Sequence, residues 1–201
     1  MQIILILISA LTPVAVLLFY IFRKDKVQPE PTKWLLKAFG FGVLSTFLSF
    51  VFSVPVSFLL GMEIDANTYS SISKAFADAF ILAAIPEELA KLIMLWLLLR
   101  KNPHFDERFD GIVYAVCIGM GFAGIENVMY LIGGLEDGSW IGTGIVRALF
   151  AVPAHFLFAV LMGYYYSIYQ FGIDRSAKIK VLVLAAPIIA HGIYDGILMS
   201  I

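Results

Sequence analysis

Of the 201 residues, 61% are hydrophobic and only 14% charged, with a mean hydropathy of +0.90, more apolar surface than a soluble fold of this length can hide. The formal net charge of -1 gives no basic surface for nucleic acid, and Cys117, the one cysteine, cannot form a disulfide framework within the chain. An all-α, polytopic membrane helix bundle follows, one domain over residues 1–201, in contact with the lipid bilayer.

Crossing about 30 Å of hydrocarbon takes about 20 apolar residues, and six runs of that kind follow one another. The first, Ile3 to Phe22, has no basic residue ahead of it and ends in Arg23-Lys24-Asp25-Lys26 with no small-residue cleavage site, so it is predicted to be a retained helix. The others run from about Trp34 to Gly61, Ala75 to Leu99, Gly111 to Ile132, Gly142 to Tyr169 and Ile179 to Ile201. Pro13, Pro55, Pro86, Pro153 and Pro187 fall inside them and predict kinks. Residues 62–74 are polar enough for either a loop or an interfacial helix.

Arg23, Lys24, Lys26, Lys33 and Lys37 follow the first run, Arg100, Lys101 and Arg108 the third, and Arg175, Lys178 and Lys180 the fifth. These are alternate loops, and cation-rich loops face the cytoplasm. The chain is therefore expected in the cell membrane as a multi-pass protein with both termini extracytoplasmic. The remaining loops carry Glu63, Asp65, Glu136 and Asp137 against a lone Lys74.

What remains at membrane depth is Asp78, Glu87, Glu88, Lys91, Glu126, Arg147, His155, His191 and Asp195. Each costs roughly 2.5 to 3.5 kcal/mol at a helix centre, so such side chains face a polar interior and have work to do. For Asp78 and Arg147, near helix ends, a structural ion pair or a snorkelling side chain is an equal alternative. Glu87 and Lys91, four apart, share a helix face and can pair, and the adjacent glutamates point apart, so one carboxylate can face a catalytic cavity while the other braces a neighbouring helix. Paired carboxylates suit one of them to take a proton from water, as a general base must. His191 and Asp195 also share a face, where they can polarise a carbonyl, orient each other or ligate a metal. Gly119, Gly121, Ala123 and Gly124 precede Glu126-Asn127, and their small size is expected to bring Glu126 close to the Glu87-Glu88 pair.

In that order, Glu87-Glu88-x-x-Lys91, Phe122-x-x-x-Glu126-Asn127 and His191-x-x-x-Asp195 resemble the PrsW family of intramembrane proteases, over about residue 75 to the C terminus. A more distant likeness is to the CAAX prenyl proteases and bacterial CPBP proteins, from which Lys91, Glu126 and Asp195 depart by residue type or position. The PrsW resemblance implies site-1 cleavage of a membrane-anchored anti-sigma factor near the outer face, before a second protease acts.

The mechanism expected is hydrolysis by water activated at Glu87. Glu88 and Glu126 hold and tune it, and His191, with Asn127 or Asp195, stabilises the oxyanion. Lys91, Asn127, Arg147 and His155 are supporting residues, with Arg147 placed to neutralise Asp195 or hold a substrate carbonyl. A zinc-dependent reading stays open, with Glu87, Glu126, His191 and Asp195 as ligands. From other classes, a proton- or cation-coupled transporter would use the same groups as a relay, and a non-catalytic scaffold would have little use for them.

Overall fold

The computed structural model describes residues 2–62 and 71–200, and among these every element is helical. Six helices form the bundle: α1 (Gln2–Lys24), α2 (Thr32–Leu60), α3 (72–99), α4 (Arg108–Gly133), α5 (Trp140–Gln170) and α6 (Ala177–Met199). Each predicted span is present, with no end moved by more than about three residues. Of the stretch 62–74, Ile72 onward is helix, capped by the Ser71 hydroxyl accepting from the Lys74 amide at 3.2 Å, while 63–70 lie outside the described residues. Five helices are long and apolar enough to cross a membrane. The exception, α3, is of similar length to its neighbours but carries Glu87, Glu88 and Lys91 in its apolar run.

Two of the prolines act through a change of helical winding. In α3 the residues Ala79–Ala84 take i→i+5 winding just before Pro86, and in α5 Arg147–Ala151 do so just before Pro153. Proline removes an i→i−4 bond and crowds the preceding turn, and a wider turn accommodates both. Each π-turn sits beside the residues that form the polar site.

The centre of the bundle is α4, with 72% of its apolar window buried against 17% in α1 and in α2. Glycines make this possible. A Cβ on Gly42 would strike the Ile118 carbonyl, and one on Gly121 the Phe39 carbonyl, so α2 and α4 touch backbone to backbone. Gly119 packs on Ala159 of α5 and Gly124 on Leu11 and Val14 of α1. The small-residue face therefore serves α1, α2 and α5, not α3 as expected from the sequence, and Glu126 meets the α3 glutamates by another route.

One end of the bundle gathers the cation-rich loops, tied by Trp34 against His104 and Phe105 against Tyr166 and Phe171. The opposite end holds Ser71, Asp137, Ser139 and Ser200, which rim a cavity of about 1290 Å³ that runs down between the helices to Glu87.

Candidate active site

Four helices contribute to the polar cluster at the cavity floor. Just past the α3 π-turn, Glu87 lines the cavity, whereas Glu88 is fully buried. Lys91, one turn on, reaches both, with Nζ 2.8 Å from Glu88 Oε1 and 3.4 Å from Glu87 Oε2. The pairing read from the sequence for Glu87 is thus shared and favours Glu88. Glu88 also braces α6, as expected, through His191 Nδ1 at 2.9 Å. His191 Nε2 lies 3.0 Å from Asp195 Oδ2 on the next turn and 3.8 Å from Glu87 Oε2.

The missing link to α4 is His155 on α5. Its Nδ1 lies 3.3 Å from Lys91 Nζ and its Nε2 lies 2.9 Å from Glu126 Oε2. The two imidazoles are arranged alike: each turns Nδ1 toward the α3 trio and Nε2 toward an acid, Glu126 for His155 and Asp195 for His191. An acid behind an imidazole fixes the ring's orientation and tautomer. His155 is therefore central rather than peripheral.

Arg147 and Asn127 have partners that spacing along the sequence does not reveal. Arg147 does not pair with Asp195; it donates to Glu126 Oε2 at 2.5 Å and to Asn127 Oδ1 at 2.6 Å. Asn127 is buried and donates its amide to the Ala10 carbonyl of α1 at 3.1 Å, so both its polar ends are engaged and neither is free for an oxyanion. Asp78 takes no part: it is buried, with neither carboxylate oxygen hydrogen-bonded among the described residues.

Aromatic rings close the site, and only Phe122 among them was singled out from the sequence. The Lys91 ammonium lies 3.9 Å from its ring centre, where the face of an arene stabilises a cation. Phe158 stacks on His191 with ring centres 4.7 Å apart, and Tyr130 lies under the Arg147 guanidinium at 4.1 Å. Phe158 is three residues past His155, a same-face spacing legible in the sequence; Tyr130 bears the same relation to Glu126 one turn further on.

One ligand atom from each of Glu87, Glu88, His155 and His191 lies within 4.8 Å of the others. This set differs from the one predicted, because Glu126 and Asp195 sit behind the imidazoles. One observation fits it to a metal ion: Glu88 Oε2 is buried without a hydrogen-bond partner among the described residues. The Lys91 ammonium, against Glu87, Glu88 and His155, already supplies a cation there and would have to give way to the ion. Mixed imidazole and carboxylate donors are those zinc accepts.

A multi-pass helical bundle with clustered acids and imidazoles at the foot of a cavity has the equipment of a membrane-embedded hydrolase. Residues 30–201 match the PrsW family of intramembrane metalloproteases. The chain is 35% identical over 192 residues to Protease PrsW of Clostridioides difficile (strain 630), which covers 94% of this chain and 77% of that one. It is 34% identical to those of Geobacillus kaustophilus (strain HTA426), over 96% of this chain and 80% of the relative, and of Bacillus subtilis (strain 168), over 98% and 84%. No solved structure matches. The chain belongs to the PrsW family and is a membrane protease.

Proposed function

We propose that this protease cuts a membrane-anchored protein near the outer membrane face, with Glu87 taking the proton from the attacking water. The observation that carries this reading is that Glu87 alone of the α3 pair is both part of the cluster and on the cavity wall. Water entering from the open end reaches it, and loss of a proton to Glu87 yields the hydroxide that adds to the scissile carbonyl. The same carboxyl then returns the proton to the leaving amine as the C–N bond breaks, so no co-reactant is consumed.

Lys91 and His191 both pair with Glu88 at the rear of the site, while Glu126 and Asp195 orient His155 and His191. Arg147, clamped by Glu126 and Asn127 on the cavity wall, is the guanidinium closest to hand for a substrate carbonyl. A zinc ion, if bound, would be held by Glu88, His155 and His191 with Glu87 beside it, and would supply Lewis-acid polarisation and a more acidic water.

The bias of cations to alternate loops supports a topology with those loops in the cytoplasm and both termini and the cavity mouth on the outer side. That sidedness, with the family membership, supports an anti-sigma factor as substrate and a first, site-1 cut of its extracytoplasmic part. The deciding experiment uses detergent-purified protein and a single-pass anti-sigma substrate. Cleavage should occur on the extracytoplasmic side of the substrate's span and be lost in Glu87→Gln. Cleavage retained in Glu87→Gln removes the proposed base. Element analysis before and after phenanthroline, with zinc add-back, separates metal-dependent from metal-free water activation.

A further inference from the structure

A second cluster of acids lies at the opposite end of α4. Asp25, just after α1, meets Glu107 and Asp110 at the start of α4, with one carboxylate oxygen of each within 4.8 Å of the others. Asp110 is fully buried and Asp25 is 4% exposed, while Glu107 is half-buried and borders water. Backbone amides fix the two aspartates by one oxygen each. Asp25 Oδ2 accepts from the Glu30 amide at 3.1 Å, and Asp110 Oδ2 accepts from those of Asp106 and Glu107 at 3.0 and 2.8 Å. The other oxygen of each, Oδ1, is buried with no hydrogen-bond partner among the described residues, and the Glu30 carboxyl lies against that of Asp110.

No lysine or arginine pairs with these acids among the described residues, although the adjoining loop is rich in both. Arg23 and Lys24 lie instead over the rings of Phe19 and Tyr20, at 5.7 and 5.5 Å. Glu30, alongside, receives the Tyr114 hydroxyl as donor, and burial pushes its carboxyl up to about 7. Buried carboxylates left without a counter-charge cost several kcal/mol each unless something neutralises them.

We infer that Asp25, Glu107 and Asp110 form a binding site for a hard divalent cation, magnesium or calcium, that ties the α1–α2 connection to the start of α4. The donors are all oxygen, with no imidazole or thiol among them, which selects these ions over zinc. Two orphaned oxygens on backbone-anchored aspartates and a third carboxylate at the water's edge supply ligands and an entry. The site lies about 24 Å along α4 from Glu126, at 1.5 Å per residue, and is distinct from the proteolytic cluster.

The test is a melting curve of the full-length chain in detergent after chelation, with and without millimolar calcium or magnesium chloride, together with terbium luminescence titrations as a probe of hard-cation binding. Either ion should raise the melting temperature by at least about 3 °C, and calcium should displace terbium. Asp25→Asn should abolish the shift. Should Asp25→Asn fail to fold, Glu107→Gln, on the accessible side, should weaken terbium binding at least about tenfold. No response to either ion overturns the inference. So does an undiminished response in the variants, which places the cation elsewhere. Stabilisation by acid pH alone also overturns it, since it assigns the cluster a shared proton.

Discussion

In the membrane-embedded cluster the carboxylates of Glu87, Glu88, Glu126 and Asp195 are met by the Lys91 ammonium, the Arg147 guanidinium and the imidazoles of His155 and His191. At the loop end of α4, Asp25, Glu107 and Asp110 pair with no lysine or arginine among the described residues. Hydrocarbon supplies no counter-ion, so charges there must be balanced by the chain itself. At the membrane–water boundary the solution supplies them, and an unbalanced set can persist. The same residue type thus serves as permanent machinery in one place and as a receptor for a solute in the other.

The sharpest way to break this contrast is to unbalance the inner cluster. Lys91→Met keeps the side chain's length but leaves Glu88 buried beside Glu87 with no ammonium, which should cost about 3 to 5 kcal/mol. A detergent melt should read it as a large loss of folded protein, partly recovered in Lys91→Met/Glu88→Gln. A stable Lys91→Met would mean that the inner cluster does not depend on balance. Next in size is Glu87→Gln, which should insert and fold yet lower cleavage at least about 100-fold.

Asn127→Ala is expected to be milder. It frees Arg147 from one of its two anchors and should reduce cleavage about tenfold while leaving the melt near wild type. Loss of stability without loss of rate would assign Asn127 to the α1–α4 contact alone. Smallest of all, Asp25→Asn in chelated buffer should change stability by no more than about 1 kcal/mol, in the stabilising direction, because it removes an uncompensated charge. A large loss there would show that the loop cluster is balanced after all.

How much of this was legible beforehand differs between the same two regions. The apolar runs located every helix, because hydropathy depends on composition along one segment. The pairs Glu87/Lys91 and His191/Asp195 were legible because helical spacing is a local rule. What local rules do not reach is which helix stands next to which. His155 looked peripheral because nothing on α5 says that it faces Lys91, and Asp195 was one of two partners read for Arg147, a substrate carbonyl the other, whereas Glu126 is the acid it reaches. The small residues of α4 signalled close packing correctly but not with whom. Asp25, Glu107 and Asp110 carry no signal in the sequence, since they stand among Arg23, Lys24, Lys26 and Arg108 and no local rule shows that Arg23 and Lys24 turn to the rings of Phe19 and Tyr20.

The two π-turns have a consequence of their own for mutational change in this chain. Each holds one more residue than an α-turn, and one residue advances an α-helix by about 100°. The extra residue in 79–84 therefore sets the phase between the outer part of α3, which packs Phe76 and Phe80 against Gly196 and Gly192, and the inner part, which presents Glu87. Deleting a single alanine from this turn would leave composition, hydropathy and charge almost untouched. It would nonetheless rotate the two parts of the helix out of step, so that either the aromatic seam with α6 or the pointing of Glu87 would be lost. Substitutions in this stretch should be tolerated far better than changes of length, and the reverse should hold for the loop after Gly133.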